Sequence, residues 1–290
     1  MINRFIRLFA AMTLFSPVSC FADDQFFDSN GVKIRYVVEG AGEPVVLIHG
    51  FTVDLDANWR APGLIAELAK SHQVIAYDNR GHGKSDKPHD PKKYGMEMVA
   101  DAVRLLDHLK IKKAHVVGYS MGASIANKLL TTHPDRLITV TLGGNAGKLE
   151  GADFSFHDRM VEDLENGRGL SSLLAILTPP GRPKPTEEQI QAINAVFTAA
   201  NDTKALASVV RRLREISIPE RKLKDNKIPV LGLIGSLDPL KKEVDLINSH
   251  TTAMTTVVID GADHMNTVGN PQFSKELSAF LKKNSTGVEK

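Results

Sequence analysis

His115-Val116-Val117-Gly118-Tyr119-Ser120-Met121-Gly122-Ala123-Ser124 is the stretch whose reading decides the fold. A short β-branched run enters it, and a helical pattern of Ile125, Leu129 and Leu130 leaves it. The G-x-S-x-G between them, Gly118 to Gly122, therefore falls at a strand-to-helix turn. Such a turn lifts its serine clear of the sheet, and glycines two residues to either side let backbone and helix approach closely. Met121 opens the helix, so its N–H lacks an intrahelical acceptor and sits at the positive end of the helix dipole. An amide placed there can stabilise an oxyanion. Gly and Ser are common in loops, and a bare G-x-S-x-G is equally an ordinary β–α turn. The flanking strand and helix give this one its weight.

Toward the N-terminus, Asn30-Gly31 between Gln25–Asp28 and Val32–Val38 spells a β-hairpin. The run Pro44-Val45-Val46-Leu47-Ile48 reads as a buried strand leading into His49-Gly50-Phe51. Helical spacing covers Trp59 to Lys70, and the strand Gln73–Tyr77 ends at Asp78-Asn79-Arg80-Gly81-His82-Gly83-Lys84-Ser85. Met96 to Leu109 is an amphipathic helix with Val99, Val103, Leu106 and Leu109 on one face. Beyond the serine turn, its helix runs to Thr132 and a strand covers Leu137–Leu142. Strand signals then stop from Gly147 to Lys227, where helical patterns near Glu187–Ala200 and Lys204–Ile216 follow a Pro/Gly-rich loop at Pro179–Pro185. The rhythm resumes with strand Val230–Ile234, a helix near Glu243–Ser249, strand Thr255–Ile259 and a helix from Pro271 to Lys283. Strands alternating with helices imply a mostly parallel, doubly wound sheet covered on both faces. Residues 23–146 and 228–290 are expected to form one α/β domain, with 147–227 an inserted helical cap.

The bulk numbers fit that architecture. A chain of 290 residues, 42% hydrophobic and 24% charged, suits one large soluble α/β domain with a lid. Arg4 and Arg7, the apolar run Leu8–Phe15, and Cys20-Phe21-Ala22 before Asp23-Asp24 have the order of an export signal over residues 1–22, cleaved after Ala22. Pro17 interrupts the run too early for a membrane anchor, which needs about 20 apolar residues. The mature chain is therefore expected to be periplasmic or secreted, with no stable membrane insertion. Cys20, the single cysteine, would leave with the signal unless it serves as a lipid attachment site, for which Pro17 stands where leucine is usual. Losing Arg4 and Arg7 from 36 basic against 34 acidic residues leaves equal numbers, and no electrostatic case for nucleic acid.

A serine hydroxyl needs a base, and the base needs a group to orient it. Of ten histidines, His72, His108, His115 and His133 lie at helix or strand edges and His89 in a charged loop. His264 instead follows the last strand directly. In an open parallel sheet the loops after the strand C-termini share one edge, so His264 can meet Ser120 across the sequence. Asp238 follows Val230–Ile234 in the same way; in isolation a helix cap before Pro239 is the better reading, but its place after a sheet strand between the serine and histidine makes it the candidate orienting acid. Asp260 is the runner-up, and Asp263 adjoins the histidine too closely to face it.

The order Ser120, Asp238, His264, with the serine in Gly118-Tyr119-Ser120-Met121-Gly122, resembles the α/β-hydrolase fold superfamily from about Gln25 to Lys283. His49-Gly50-Phe51 resembles that family's oxyanion loop, and Asp78 to Ser85 its structural turn. The resemblance implies a second oxyanion donor at the Phe51 N–H beside Met121, with His49 and His82 holding loops. Some relatives carry the acid after the preceding strand, but Leu142-Gly143-Gly144-Asn145 offers no carboxylate, which favours Asp238. Serine at position 120 sets the chain apart from dehalogenases and epoxide hydrolases of this fold, which use aspartate. The implied chemistry is an acyl-enzyme on a small ester-like substrate, without cofactor or metal. Carbon–carbon bond hydrolases, lactonases, thioesterases and perhydrolases share the triad, and a low-turnover binding protein on the same fold is the rival from another class.

Three other features have weaker claims. Gly143-Gly144-Asn145-Ala146-Gly147-Lys148 is one residue short of a phosphate loop, and Leu149 replaces its Ser/Thr. The basic run Arg211-Arg212-Leu213-Arg214 reads as a solvated helical face. Apolar residues of the insertion (Phe154, Phe156, Met160, Leu173, Leu174, Ile176, Leu177, Phe197) either roof a pocket or pack the lid onto the core.

Overall fold

The computed structural model describes residues 22–287. The expected export signal, Cys20 included, lies outside them except for Ala22. Eight strands form one sheet: β1 (Gln25–Asp28), β2 (Lys33–Glu39), β3 (Glu43–Ile48), β4 (His72–Tyr77), β5 (Ala114–Tyr119), β6 (Leu137–Gly143), β7 (Val230–Gly235) and β8 (Met254–Ile259). Their order is β1-β2-β4-β3-β5-β6-β7-β8. β1 and β2 pair antiparallel with their neighbours, whereas every pair from β4 onward is parallel. Asn30 and Gly31 both take positive φ, 58° and 76°, as a two-residue hairpin turn with the native strand twist requires.

Side chains alternate across β3, and so divide the core. Val46 and Ile48 face one cluster, joined there by Leu105 and Leu106 of α2 (Met96–His108) and Ile125 and Leu129 of α3 (Met121–Thr132). Val45 and Leu47 face the other, with Leu64, Ile65 and Leu68 of α1 (Leu64–Leu68). The sheet is thus buried on both faces, which explains why β5 is buried at every position without alternation.

Helix structure between β3 and β4 departs from expectation. The spacing over Trp59–Lys70 predicts one helix, but the chain makes a π-helical turn at Asp56–Arg60 and then the separate α1. Pro62 has no N–H to continue the ladder, and Gly63 turns the chain at φ 83°. Trp59 is nonetheless fully buried.

Between β6 and β7, where a cap is expected, five helices follow: α4 (Ser155–Glu165), α5 (Ser171–Leu177), α6 (Glu187–Ala200), α7 (Thr203–Arg212) and α8 (Glu220–Lys224). Sequence patterns anticipated α6 and α7; α4, α5 and α8 are additional. Thr186 and Gln189 close a capping box on α6, and Asp202 caps α7. Met160, Val161 and Leu164 of α4 and Leu206, Val209 and Val210 of α7 join the same core cluster as α2 and α3. The basic run is a paired surface: Arg211 meets Glu165, Arg212 meets Glu215 and Arg214 meets Asp158. Exposed pairs of this kind contribute little stability. The C-terminal helices α9 (Lys241–Ser249) and α10 (Pro271–Lys283) complete the α/β alternation.

Candidate active site

Ser120 occupies the tight turn between β5 and α3 with φ 54° and ψ −113°, a conformation L residues avoid. The surroundings enforce it. A Cβ at Gly118 would overlap the Gly122 carbonyl, and one at Gly122 would overlap the Ile48 carbonyl, so both glycines are needed to seat α3 against the sheet. The Ser120 N–H still donates to the Gly143 carbonyl at 2.8 Å, extending the β5–β6 ladder through the strained residue. The side chain sits at the wall of a cavity of about 280 Å³, next to Phe51 and Met121.

His264 and Asp238 arrive from the loops after β8 and β7. His264 Nε2 lies 3.0 Å from Ser120 Oγ, and its Nδ1 lies 2.8 Å from Asp238 Oδ2. A carboxylate only accepts, so Nδ1 carries the proton and Nε2 presents its lone pair to the serine hydroxyl. Asp238 divides its oxygens: Oδ1 accepts the Leu240 N–H at 2.9 Å in a local turn before α9, while Oδ2 holds the imidazole. The helix-cap reading of Asp238 is not realised, because α9 has Leu240 as its N-cap without a side-chain cap bond. Asp260 accepts from Ser236 Oγ at 3.2 Å and Asp263 from the amides of Met265 and Asn266, so neither holds the histidine.

The two amides expected to serve as oxyanion donors flank the serine. Met121 begins α3, and among the described residues neither its N–H nor that of Phe51 is used in a turn or loop hydrogen bond. The loop that carries Phe51 is fixed from behind. Asn58 Oδ1 accepts the Gly50 N–H at 2.9 Å, and His49 Nε2 accepts the Asn79 N–H at 2.8 Å. That leaves His49 Nδ1–H to donate to the Gly50 carbonyl at 2.7 Å. Burial pushes the His49 pKa down, and His82, stacked edge-on against it, is driven down to about 3 by burial and by its neighbour. Both rings are neutral struts. Asp78 Oδ1 accepts the Leu55 N–H while Oδ2 accepts the Lys84 N–H and faces Arg35, tying the Phe51 loop to the turn after β4. Thr52, next to Phe51, has φ 68°, a second strained position in the loop that carries the expected oxyanion donor.

Sequence reading missed two supports. Asn58 is one. Tyr119 is the other: its hydroxyl donates to the His264 carbonyl at 2.5 Å, and its ring lies against Phe273 and Trp59. Gly144, with φ 65°, passes so close to that ring that any Cβ would strike it. The Gly143-Gly144 pair was therefore the legible trace of an aromatic side chain packed beside the catalytic-edge loops. The insertion's apolar residues divide between their two readings. Phe154 and Ile176 line the cavity, Met160, Phe156 and Leu173 both line it and pack with the core cluster, Leu174 and Phe197 pack with the core cluster, and Leu177 is placed in neither.

The family model for the alpha/beta hydrolase fold matches residues 43–271, and the chain belongs to that family. Its relatives differ in chemistry. It is 27% identical over 278 residues to 3-oxoadipate enol-lactonase 2 of Acinetobacter baylyi, covering 92% of this chain and 99% of that protein. Over 120 residues, 40% of this chain and 41% of the relative, it is 42% identical to 2-hydroxymuconate semialdehyde hydrolase of a Pseudomonas species. A third match, 39% over 127 residues, takes in 42% of this chain but only 32% of the dihydrolipoyllysine-residue acetyltransferase component of the acetoin cleaving system of Cupriavidus necator. Among solved structures, a hydrolase from Pseudomonas aeruginosa superposes with a TM-score of 0.75 at 24% identity, covering 89% of this chain and 98% of that one. That likeness is one of fold. Among the described residues no helix is long and apolar enough to cross a membrane.

Proposed function

We propose that this member of the hydrolase family is a serine esterase acting through an acyl-enzyme. The observation that carries the reading is the continuous chain Asp238 Oδ2, His264, Ser120 Oγ, with contacts of 2.8 and 3.0 Å, opening on a cavity beside two unspent amides. In the reaction, His264 Nε2 takes the proton as Ser120 Oγ bonds to the ester carbonyl carbon. The Phe51 and Met121 N–H groups receive the oxyanion. As the tetrahedral centre collapses, the carbon–oxygen bond to the alcohol breaks and His264 returns the proton to it. A water activated by the same nitrogen then releases the acid. Asp238 keeps the imidazole in the required tautomer and stabilises its cation.

A lactonase or carbon–carbon hydrolase reading is favoured to the extent that relatives bear those names. One experiment separates the classes: label the protein with a fluorophosphonate, locate the adduct by mass spectrometry, and measure turnover of p-nitrophenyl esters of graded chain length. A Ser120 adduct with rapid turnover supports the esterase. An adduct with negligible ester turnover moves the proposal to lactones or carbon–carbon substrates, then to the binding-protein alternative. Absence of an adduct refutes the serine mechanism. We propose further that the chain is exported; an N-terminus at Asp23 in the extracytoplasmic fraction is the expected result, and a cytoplasmic protein retaining residues 1–22 would refute it.

A further inference from the structure

The cavity beside Ser120 is lined in part by polar groups that the reaction does not use. Lys148 reaches it from the loop after β6, His157 from α4, and Glu243 from the first turn of α9. Each has unmet hydrogen-bonding capacity. Lys148 Nζ approaches Glu243 Oε1 only to 3.7 Å, beyond hydrogen-bond reach. The other carboxylate oxygen, Glu243 Oε2, is buried without a partner, and so is His157 Nδ1. Burial, with Lys148 next in effect, drives the His157 pKa down to about 4, so the ring is uncharged near neutrality. Together these groups offer a cation, an anion and a neutral imidazole, with no net charge among the three. The same cavity is also lined by apolar Phe51, Met121, Leu173 and Ile176, and by the exposed charges of Asp153, Arg159 and Lys242.

The complementary ligand follows from that inventory. A carboxylate would pair with Lys148 but face Glu243. An ammonium would reverse the conflict. A plain alkyl chain would leave an ammonium, a carboxylate oxygen and a ring nitrogen desolvated and unpaired, which is the costly outcome for buried polar groups. A neutral group that both accepts and donates can accept a hydrogen bond from the Lys148 ammonium and donate one to the Glu243 carboxylate. We infer that Lys148, His157 and Glu243 form a specificity subsite for a hydroxyl or primary carboxamide carried on the substrate at a distance from the scissile bond. The inference rests on the serine-esterase reading of the same cavity and names the substrate class within it.

The test uses p-nitrophenyl esters with six-carbon acyl chains ending in methyl, hydroxymethyl, carboxamide, carboxylate or aminomethyl. A parallel series of hexanoate esters carries the same end groups on the alcohol half. In one of the two series, the hydroxyl or carboxamide member is expected to exceed the methyl member in kcat/KM by about tenfold or more, because a site that hydrogen-bonds its substrate rejects the analogue lacking the group. The carboxylate and ammonium members should fall below it. Glu243→Gln and, separately, Lys148→Met should bring the ratio of polar to methyl substrate toward one; two variants guard against a fold defect in either. Equal rates for polar and methyl members in both series would overturn the subsite. A carboxylate preference would overturn it in favour of an anion site led by Lys148 and the exposed Lys242 at the rim. A polar preference that survives both variants would place recognition elsewhere. If methyl esters are not turned over and Ser120 is not labelled, the esterase reading itself has failed and the subsite falls with it; turnover of methyl esters without a polar preference sinks the subsite alone.

Discussion

Two hydroxyl–imidazole–carboxylate chains cross this sheet, at opposite edges. At the C-terminal edge, Ser120, His264 and Asp238 are joined by contacts of 3.0 and 2.8 Å. At the N-terminal edge, Thr139 Oγ1 lies 2.7 Å from His115 Nδ1, and His115 Nε2 lies 3.1 Å from Glu43 Oε2. The connectivity is nearly the same, yet only the first borders the cavity. Thr139 and His115 are 0% exposed, lie where the register shifts between β5 and β6, and do not line the cavity beside Ser120. Ser120 is held at φ 54° over a cavity and flanked by two available amides. The other end of Glu43 accepts from the Thr286 N–H at 3.0 Å, so the buried chain anchors the segment after α10. Hydrogen-bond order alone does not distinguish the two chains; the strained Ser120 at the cavity wall does, and for that reason the proposed chemistry is assigned to its edge.

The comparison breaks first, if it breaks, at the hydroxyls. Ser120→Ala is expected to reduce ester turnover by roughly 10⁴-fold or more with an unchanged melting curve. Thr139→Val should leave kcat/KM within about twofold but cost about 1–3 kcal/mol of stability, the penalty of a buried donor or acceptor left unpaired. Denaturant titration beside steady-state kinetics checks both. If Thr139→Val abolished turnover, or Ser120→Ala left it intact, the assignment of roles to the two edges would be reversed.

At the carboxylates the contrast should be smaller. Asp238→Asn retains an oxygen for the Leu240 amide but favours the wrong imidazole tautomer, and a loss of about 10²–10⁴-fold in kcat is expected. Glu43→Gln should leave kcat unaltered. Comparable kcat losses in both variants would show that the two chains are coupled through β5.

Much of this was legible in the chain because strong local signals coincide with the fold. Asn30-Gly31, the apolar run at β3 and the glycine-framed serine each specify a conformation within a few residues, and the order of strands places Asp238 and His264 on the edge that Ser120 leaves. Other parts depend on contacts that no local pattern encodes. His115 read as an edge residue; it is buried because Glu43 and Thr139, 72 and 24 residues away, supply its partners. Asn58 and Tyr119 act on the site through the Gly50 amide and the His264 carbonyl. The helix expected over Trp59–Lys70 failed at Pro62-Gly63, where backbone chemistry overrides apolar spacing. Lys148 and Glu243 come together only because α9 packs beside the loop after β6.

Acid should separate the two edges further. His115 is pushed below its ordinary value of 6.5 by burial, against the pull of Glu43. Burial would raise Glu43, but its hydrogen bonds with Thr286 and His115 outweigh that and hold it at about 2, below its ordinary 4.5. His82 at about 3 and His157 at about 4 shift in the same direction as His115. For each of these groups the unfolded chain binds protons at a higher pH than the folded one, so stability rises with pH across the interval between the two values. The histidine contributions are complete above 6.5 and decline as pH falls below it; the Glu43 contribution declines between 4.5 and about 2. Each histidine that stays neutral in the folded state adds a slope approaching about 1.4 kcal/mol per pH unit. Urea midpoints should therefore drop from pH 7 to pH 5, and Glu43→Gln should flatten the lower limb only. A midpoint independent of pH over that range would mean these rings are hydrated or charged in the folded protein.

Tyr119→Phe tests the link between the serine turn and the histidine loop with the smallest expected effect. The substitution keeps the ring that Gly144 passes and removes only the hydroxyl that holds the His264 carbonyl. A loss of about 0.5–1.5 kcal/mol in stability is expected, the net worth of one hydrogen bond. If the hydroxyl also sets the position of Nε2 relative to Ser120, kcat should fall by about tenfold with KM little changed, since the interaction acts on the reacting geometry and not on substrate binding. A stability loss with kcat intact would make Tyr119 a brace for the loop alone. That outcome would shift the positioning of His264 onto Asp238, whose two oxygens already span the imidazole and the Leu240 amide.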